Sequence, residues 1–309
     1  MQRILFIVNP AAGFGGAKRN WEKVAPQVQS QFKESETWFT REKGHASDLV
    51  KEASAKGFTT LVGVGGDGTF GELVHGVLSL PALVRKNLAL GCLPMGSGCD
   101  FARHAQLPKR FPDLLSMIEA RAVRWLDAGR VQYTDLDGTQ KERFFINMAT
   151  FGLSGDVIRQ MEKTGKPLGG KISYLLVSVT SLLKSKPRAI ELTLDGKPVK
   201  EKNFHTVFVM NTSTTGGGMK IAPMADAEDG MLDVIWVGNL SRGRLLREFP
   251  KIYWGGHGGI PGIEFRQAKR IEAKSLEMGD IYLNIDGEAL GKLPISVKIL
   301  PHAVPVLIP

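Results

Sequence analysis

Cysteine is nearly absent: the 309 residues contain two, Cys92 and Cys99. Both sit among apolar neighbours and are too few for a disulfide framework, which points to a reducing, cytoplasmic compartment. Long hydrophobic runs are also missing. The longest strongly apolar stretch, "ISYLLVSVTSLL" at 172–183, is about half of the roughly 20 residues that span a bilayer, so no transmembrane segment is expected. The opening "MQRILFIVNP" has one basic residue, a short apolar run and no small-residue cleavage site. It reads as a buried strand rather than a secretory leader. Zinc-finger spacing, an aromatic ribonucleoprotein signature and low-complexity tracts are lacking, which argues against a nucleic-acid partner.

What is present is ordinary globular material, 43% hydrophobic and 23% charged, in a chain long enough to favour two domains over one. The formal net charge of +9 favours a negatively charged partner, whether nucleic acid, an anionic membrane surface or a phosphorylated substrate, and does not choose among them.

Residues 1–126 alternate short apolar runs with helical patterns. Strands are expected near 3–8, at "ETWFT", at "TTLVGVGG" and at "NLALGCLP", with helices near 16–31, in "GHASDLVKEASAKG" and in "TFGELVHGVLSL". Continuous apolar strands separated by helices predict a parallel sheet covered on both faces, an α/β domain. From 127 to 295 the pattern turns β-rich, with "RFFINMATFG", "AIELTLDGKPV", "NFHTVFVMN", "MLDVIWVG", "RIEAKSL" and "IYLNIDGE" as strands and helical insertions near 171–184 and 241–252. An all-β sandwich is the simplest account. A final strand lies within about 296–309, and the sequence leaves open whether it returns to the first domain.

Glycine loops carry the chemistry. Gly63, Gly65 and Gly68 satisfy G-x-G-x-x-G between a strand and a helix, but the region that should supply the ribose-binding acid reads "NLALGCLP", so the dinucleotide reading loses its second half. Asp67 would repel a phosphate held by the helix amides after Thr69 unless a cation bridges them, which points to Mg²⁺ with a triphosphate. Thr69 and Glu72 also fit a capping box. "GKPLGGKI" at 165–172 misses the P-loop pattern at Ile172 and reads as a mobile loop. "FIVNPAAGFGG" opens a helix after the first strand, where α/β sheets bind ligands.

Three loops, "NPAAG" at 9–13, "GGDGT" at 65–69 and "LPMGSGCDFAR" at 93–103, together resemble the diacylglycerol kinase catalytic domain family. "NTSTTGGGMKIAPMADAEDGMLDV" at 211–234 and "IDGE" at 285–288 extend that resemblance over almost the whole chain. An NAD kinase would leave these later segments unexplained. The resemblance implies an NAD-kinase-like α/β domain, a lipid-binding β-sandwich domain, a site in the cleft between them, and transfer of phosphate from ATP to a lipid hydroxyl, most simply that of diacylglycerol. It implies an ATP site lined by Asn9, Pro10, Ala11, Ala12, Gly13, Thr40, Gly66, Asp67, Gly68, Thr69, Phe70, Gly71, Glu72 and Ser97. Asp67 would organise Mg²⁺ and phosphates, Glu288 would accept the lipid proton, and Asp286 would steady the network. A structural Mg²⁺ would be held by Asp226, Asp229 and Met231, the first and last through backbone carbonyls. Read without the family, Asp286 and Gly287 are a hairpin turn and the acidic loop is a solvated turn.

The family's third loop usually reads G-T-G-N-D, whereas here it is Gly96, Ser97, Gly98, Cys99 and Asp100. This departure leaves open a catalytically weak nucleotide-binding homologue, beside the rival acceptors: a sphingoid base, phosphatidylglycerol or an isoprenoid alcohol. The implied partner is a lipid at an anionic membrane surface, met peripherally, and a homodimer is compatible with the reading.

Overall fold

The computed structural model describes residues 3–164 and 170–309, of which 162–164 and 170–175 by their backbone alone. Of the loop expected at 165–172, residues 165–169 lie outside the described residues, and 170–172 open a helix instead. The chain divides into two compact units, Met1–Leu126 with His302–Pro309, and Asp127–Pro301.

In the first unit, β1 (Ile4–Val8), β2 (Glu36–Phe39), β3 (Thr60–Gly65) and β4 (Ala89–Pro94) form a parallel sheet in the order β4, β3, β1, β2. Every residue of β1 and β3 is buried, as expected of strands covered on both faces. The connecting helices are α1 (Gly16–Gln31), α2 (His45–Ala55), α3 (Asp67–Leu78), the short α4 (Ala82–Arg85) and α5 (Asp100–His104), followed by α6 (Phe111–Ala120). Helix α1 opens after Gly13, Phe14 and Gly15, all at positive φ, a tight strand-to-helix turn that only a glycine-rich loop forms cheaply.

The strand β5 (Val123–Thr134) leads into the second unit. There follow β6 (Gln140–Phe145), β7 (Met148–Gly152), α7 (Leu153–Thr164), α8 (Gly170–Lys184), β8 (Arg188–Leu194), β9 (Lys197–Pro198), β10 (Asn203–Phe204), β11 (Thr206–Met210) and β12 (Leu232–Val237). Then come α9 (Arg242–Glu248), a 3-10 helix (Phe249–Tyr253), β13 (Ile263–Ala268), β14 (Arg270–Ser275), β15 (Tyr282–Ile285) and β16 (Glu288–Leu307). One layer runs β13, β12, β11, β7, β15; β14 pairs with both β8 and β16. Val207, Val209, Val234 and Trp236 pack with Ile190, Leu192, Ile271 and Val297 in one buried cluster, which makes this unit a β-sandwich. The alternate residues Met210 and Ile235 face a separate cluster with Met219, Ile221 and Ala222, the period of two that a pleated strand imposes.

The structure departs from the sequence reading in its elements and resolves where the last strand goes. "RFFINMATFG" is two strands, broken at Ile146 and Asn147. Strands β5 and β13 and helices α4, α5, α6 and α7 were not foreseen. The last strand is the C-terminal part of β16, and its residues 302–307 belong to the first unit, where Val306 pairs with Leu90 of β4 in parallel. Among the described residues no helix is long and apolar enough to cross a membrane.

Candidate active site

The first unit gathers its three glycine loops at the C-terminal ends of β1, β3 and β4. The Asn9 amide donates to Val64 O at 2.9 Å, Met95 N to Gly65 O at 2.7 Å, and Thr40 N to Val8 O at 2.9 Å. Asn9 Nδ2 donates to Thr69 Oγ1 at 3.0 Å, and Asn9 Oδ1 accepts the Ala11 amide at 3.1 Å. The backbones approach so closely that a Cβ on Gly96 would stand 2.3 Å from the Gly66 Cα, and one on Gly13 would stand 2.9 Å from Met95 O. Gly96 and Gly66 touch because neither has a side chain, and Gly13 reaches the Met95 carbonyl because it has none.

Helix α3 begins at Asp67, two residues earlier than the sequence suggests. Thr69 therefore lies in the first turn rather than capping it, and no capping box forms with Glu72. The Glu72 carboxylate instead accepts the Gly44 and Ala46 amides, at 2.8 and 3.1 Å, at the start of α2. Phe70 is buried and its ring stacks on Phe101 at 4.3 Å, so any ligand contact at this position comes from its backbone. Gly68 and Ser97 are exposed; Gly66 and Asp67 are half-buried.

Asp67 Oδ1 accepts the Phe101 amide of α5 at 3.0 Å. Cys99 caps α5 in a left-handed conformation, φ 55° and ψ 44°, and its thiol donates to Gly96 O at 3.3 Å. Burial, and then Asp67 nearby, pushes the Cys99 thiol pKa up, which opposes a reactive thiolate and matches a packed thiol.

The residues fit Mg·ATP in a specific sense. A Cβ at Gly15, Gly16 or Gly68 would meet open space, and the free first-turn amides of a helix suit phosphate. Among the described residues no group of three His, Cys, Asp or Glu side chains is spaced to hold a metal. Magnesium asks for less, since it binds through one or two carboxylates together with substrate phosphates, and Asp67 supplies such a carboxylate.

In the second unit, Asp286 (φ 47°) and Gly287 (φ 87°) form the turn between β15 and β16, with the two positive φ values of a type I′ hairpin. The turn is also a polar hub. Asp286 accepts the amides of Ile146, Asn147 and Met148 at 2.9, 3.0 and 2.8 Å, which the break between β6 and β7 releases from the ladder. Burial nevertheless pushes its carboxyl up to about 6, outweighing those amides and the Arg143 guanidinium. Gly287 N donates to Asn284 Oδ1 at 2.9 Å. Glu288 stands next on β16, its carboxylate 3.5 Å from Arg143 Nη2. Arg143 and Asn147 were not singled out from the sequence; the one available signal was a polar Asn inside the apolar run "FINMATF".

Asp226 and Asp229 accept the amides of Glu228 and Met231, and Asp229 Oδ2 also accepts Gln267 Nε2 at 3.2 Å. The fully buried Asp127 accepts the Gly230 amide at 2.7 Å. Burial, then Asp229 and Asp226, raises the Asp233 carboxyl to about 6. The loop is thus an ordered acidic turn, and Asp127 and Asp233 belong to it though the sequence reading passed them over.

An apolar cavity of about 110 Å³ also lies in this unit, lined by residues including Leu153, Val157, Leu182, Phe249, Ile252 and His257.

An NAD-kinase-like α/β unit with a β-sandwich is the class these features define, and comparison with known proteins narrows it. Residues 3–131 match the diacylglycerol kinase catalytic domain, and residues 147–308 match the YegS C-terminal NAD kinase beta sandwich-like domain. A diacylglycerol kinase of Mycobacterium tuberculosis is 27% identical over 308 residues, 99% of this chain and 95% of that protein. A Bacillus anthracis str. Sterne crystal structure with a provisional diacylglycerol kinase title superposes at TM-score 0.78, with 23% identity over 100% of this chain and 97% of that one. An NAD kinase from Archaeoglobus fulgidus, solved with ATP, reaches TM-score 0.51 at 14% identity over 99% and 93% of the two chains. The chain belongs to the diacylglycerol kinase family.

Proposed function

We propose that this protein is an ATP- and Mg²⁺-dependent lipid kinase whose acceptor is the free hydroxyl of diacylglycerol, giving phosphatidate. The observation that carries the reading is Glu288: a carboxylate on a rigid hairpin, beside Arg143, next to a turn tied to three backbone amides. That is how a general base is held in one orientation. The apolar cavity in the same unit supports an acceptor with a hydrocarbon chain. Relatives named diacylglycerol kinase support the substrate, and the ATP-bound NAD kinase of the same fold supports the nucleotide.

In the reaction Glu288 takes the proton of the lipid hydroxyl, whose oxygen bonds to the γ-phosphorus as the bond to the departing ADP oxygen breaks. Phosphoryl transfer asks the protein mainly for positioning and charge neutralisation. The loops around Gly13, Gly68 and Gly96 bind and orient the triphosphate. Asp67 would hold Mg²⁺ when it binds with the nucleotide, and the ion would supply charge neutralisation at the phosphates. The acidic loop, with Asp226, Asp229 and Met231, is the proposed seat of a second, structural Mg²⁺. The enzyme works from the cytoplasmic side as a peripheral protein.

The test is incubation with labelled ATP, Mg²⁺ and mixed micelles of diacylglycerol, followed by detection of labelled phosphatidate. A panel with sphingoid base, phosphatidylglycerol and isoprenoid alcohol reassigns the acceptor if one of these is labelled instead. Because Cys99 replaces the family's usual Asn, a nucleotide-binding homologue without turnover is the second reading. ATP binding with no labelled product from any lipid would establish it.

A further inference from the structure

The second unit exposes large apolar side chains that neither the proposed chemistry nor the sandwich core uses. Met224 is 87% exposed and Trp254 63%, with Tyr253 beside it at 39%. They sit on two loops latched together. Lys220 N donates to Ile252 O at 2.7 Å, His257 Nε2 bonds Ile221 O at 3.0 Å, and a Cβ on Gly255 would stand 2.7 Å from Pro223. The tip is therefore a fixed platform carrying a tryptophan, a tyrosine and a methionine outward.

Two further observations say what covers it. The segment 240–259 that bears the aromatics holds four basic residues, Arg242, Arg244, Arg247 and Lys251, against one acid, Glu248. That acid is buried and already bonded to Arg247 and Lys251. Lys220 on the companion loop is exposed as well. Tryptophan and tyrosine, apolar in body and polar at the tip, favour the headgroup level of a bilayer, and basic residues around them favour anionic lipid. Continuity is the second observation: Phe249 and Ile252, immediately before Tyr253 and Trp254, line the apolar cavity. The same short stretch thus lines an apolar cavity inward and presents an aromatic tip outward.

We propose that Tyr253, Trp254 and Met224, with Lys220 and Lys251 beside them and Arg242 and Arg247 on the preceding helix α9, form the surface by which this protein docks on an anionic bilayer. The aromatic tip sits among the headgroups and the basic residues contact the lipid phosphates. The choice of a bilayer over a protein partner rests on the lipid kinase reading. On the companion loop Asp226, Glu228 and Asp229 oppose the field of Lys220, so the preference for anionic lipid rests on the basic segment 240–259.

The experiment is co-sedimentation of the full chain with vesicles of phosphatidylcholine alone and with about 30% phosphatidylserine. Wild type should partition onto the anionic vesicles, and the triple variant M224S/Y253S/W254S should lose roughly ten-fold or more of that partition. R242Q/K251Q should lose the preference for phosphatidylserine. Thermal melts check that these surface changes leave the fold intact. Turnover of a short-chain diacylglycerol, presented as monomers, should be unchanged in the triple variant. Equal vesicle binding by wild type and triple variant overturns the proposal, as does absence of wild-type binding. Loss of self-association in the triple variant without any vesicle effect would also overturn it, assigning the patch to a second copy. Vesicle binding that depends on Trp254, in a protein that phosphorylates no lipid, leaves the docking surface standing and removes the kinase reading.

Discussion

Arg143 on β6 and Glu288 on β16, 145 residues apart in sequence, meet with Nη2 and Oε2 3.5 Å apart. Both side chains are largely withdrawn from water, at 18% and 13% exposure, so the pair is better shielded than a surface ion pair. The consequence is orientation: the guanidinium holds the carboxylate that the proposed reaction needs.

Glu288→Gln should therefore lower kcat by about 10²- to 10⁴-fold, the usual range for a lost general base, with the Kd for ATP unchanged. Arg143→Ala should lower kcat by up to about 100-fold through misplacement of the carboxylate, and Arg143→Lys should recover part of that. Steady-state kinetics with nucleotide titration read both. Wild-type turnover in the Gln variant would remove Glu288 from the chemistry.

Gly96 offers a test of the nucleotide loops that leaves every charge in place. An alanine there puts its Cβ 2.3 Å from the Gly66 Cα, so the two loops must part. Gly96→Ala should cost about 1–3 kcal/mol of stability by overpacking and weaken ATP binding, whereas Gly68→Ala, facing open space, should cost less stability. Calorimetry and nucleotide titration distinguish the two.

Asp286 gives a pH signature. Its folded pKa of about 6 lies above the ordinary 3.8, so the native state holds this proton more tightly than the unfolded chain. Its contribution is full below about pH 4 and is lost as pH rises through 6. Stability of wild type relative to Asp286→Asn should thus fall between about pH 4 and 6 and be level above, as followed by urea titration. A flat difference across that window would contradict the buried carboxyl.

His205 and His257 work in the opposite sense. Burial lowers both pKa values, against the bonds to Leu240 O and Ile221 O. Their neutral forms favour the native state, so the stability they lend is present above the ordinary imidazole pKa and is lost as pH falls. NMR titration should place both midpoints below 6.5.

Cys99 occupies left-handed backbone, where asparagine is several-fold enriched and a thiol has no such advantage. Cys99→Asn should raise stability by about 1 kcal/mol. It should not impair nucleotide binding, and a gain in turnover would identify the cysteine as the limit on rate.

The parallel sheet was legible because β1, β3 and β4 are continuous apolar runs closed by glycine loops, a pattern with few other solutions. Strand β13 was not, since most of its residues are half-buried or exposed and its alternation is weak. The break at Ile146 and Asn147 depends on an aspartate about 140 residues later, which no local pattern announces. Thr69 and Glu72 misled for a related reason: Glu72 serves α2, an element that lies next to α3 only in the folded chain. Glycine loops and the Asp-Gly hairpin could be read from spacing; Arg143, Asp127 and Asp233 owe their places to pairings between distant strands.

Residues 302–307 occupy the position beside β4, so the sheet of the first unit is closed on that side by the last stretch of chain described. During synthesis the first 126 residues emerge long before this strand. Until it arrives, β4 presents an unpaired edge, the kind of surface on which chains join one another. The sheet of the first unit is thus begun before the second unit is made and completed only after it.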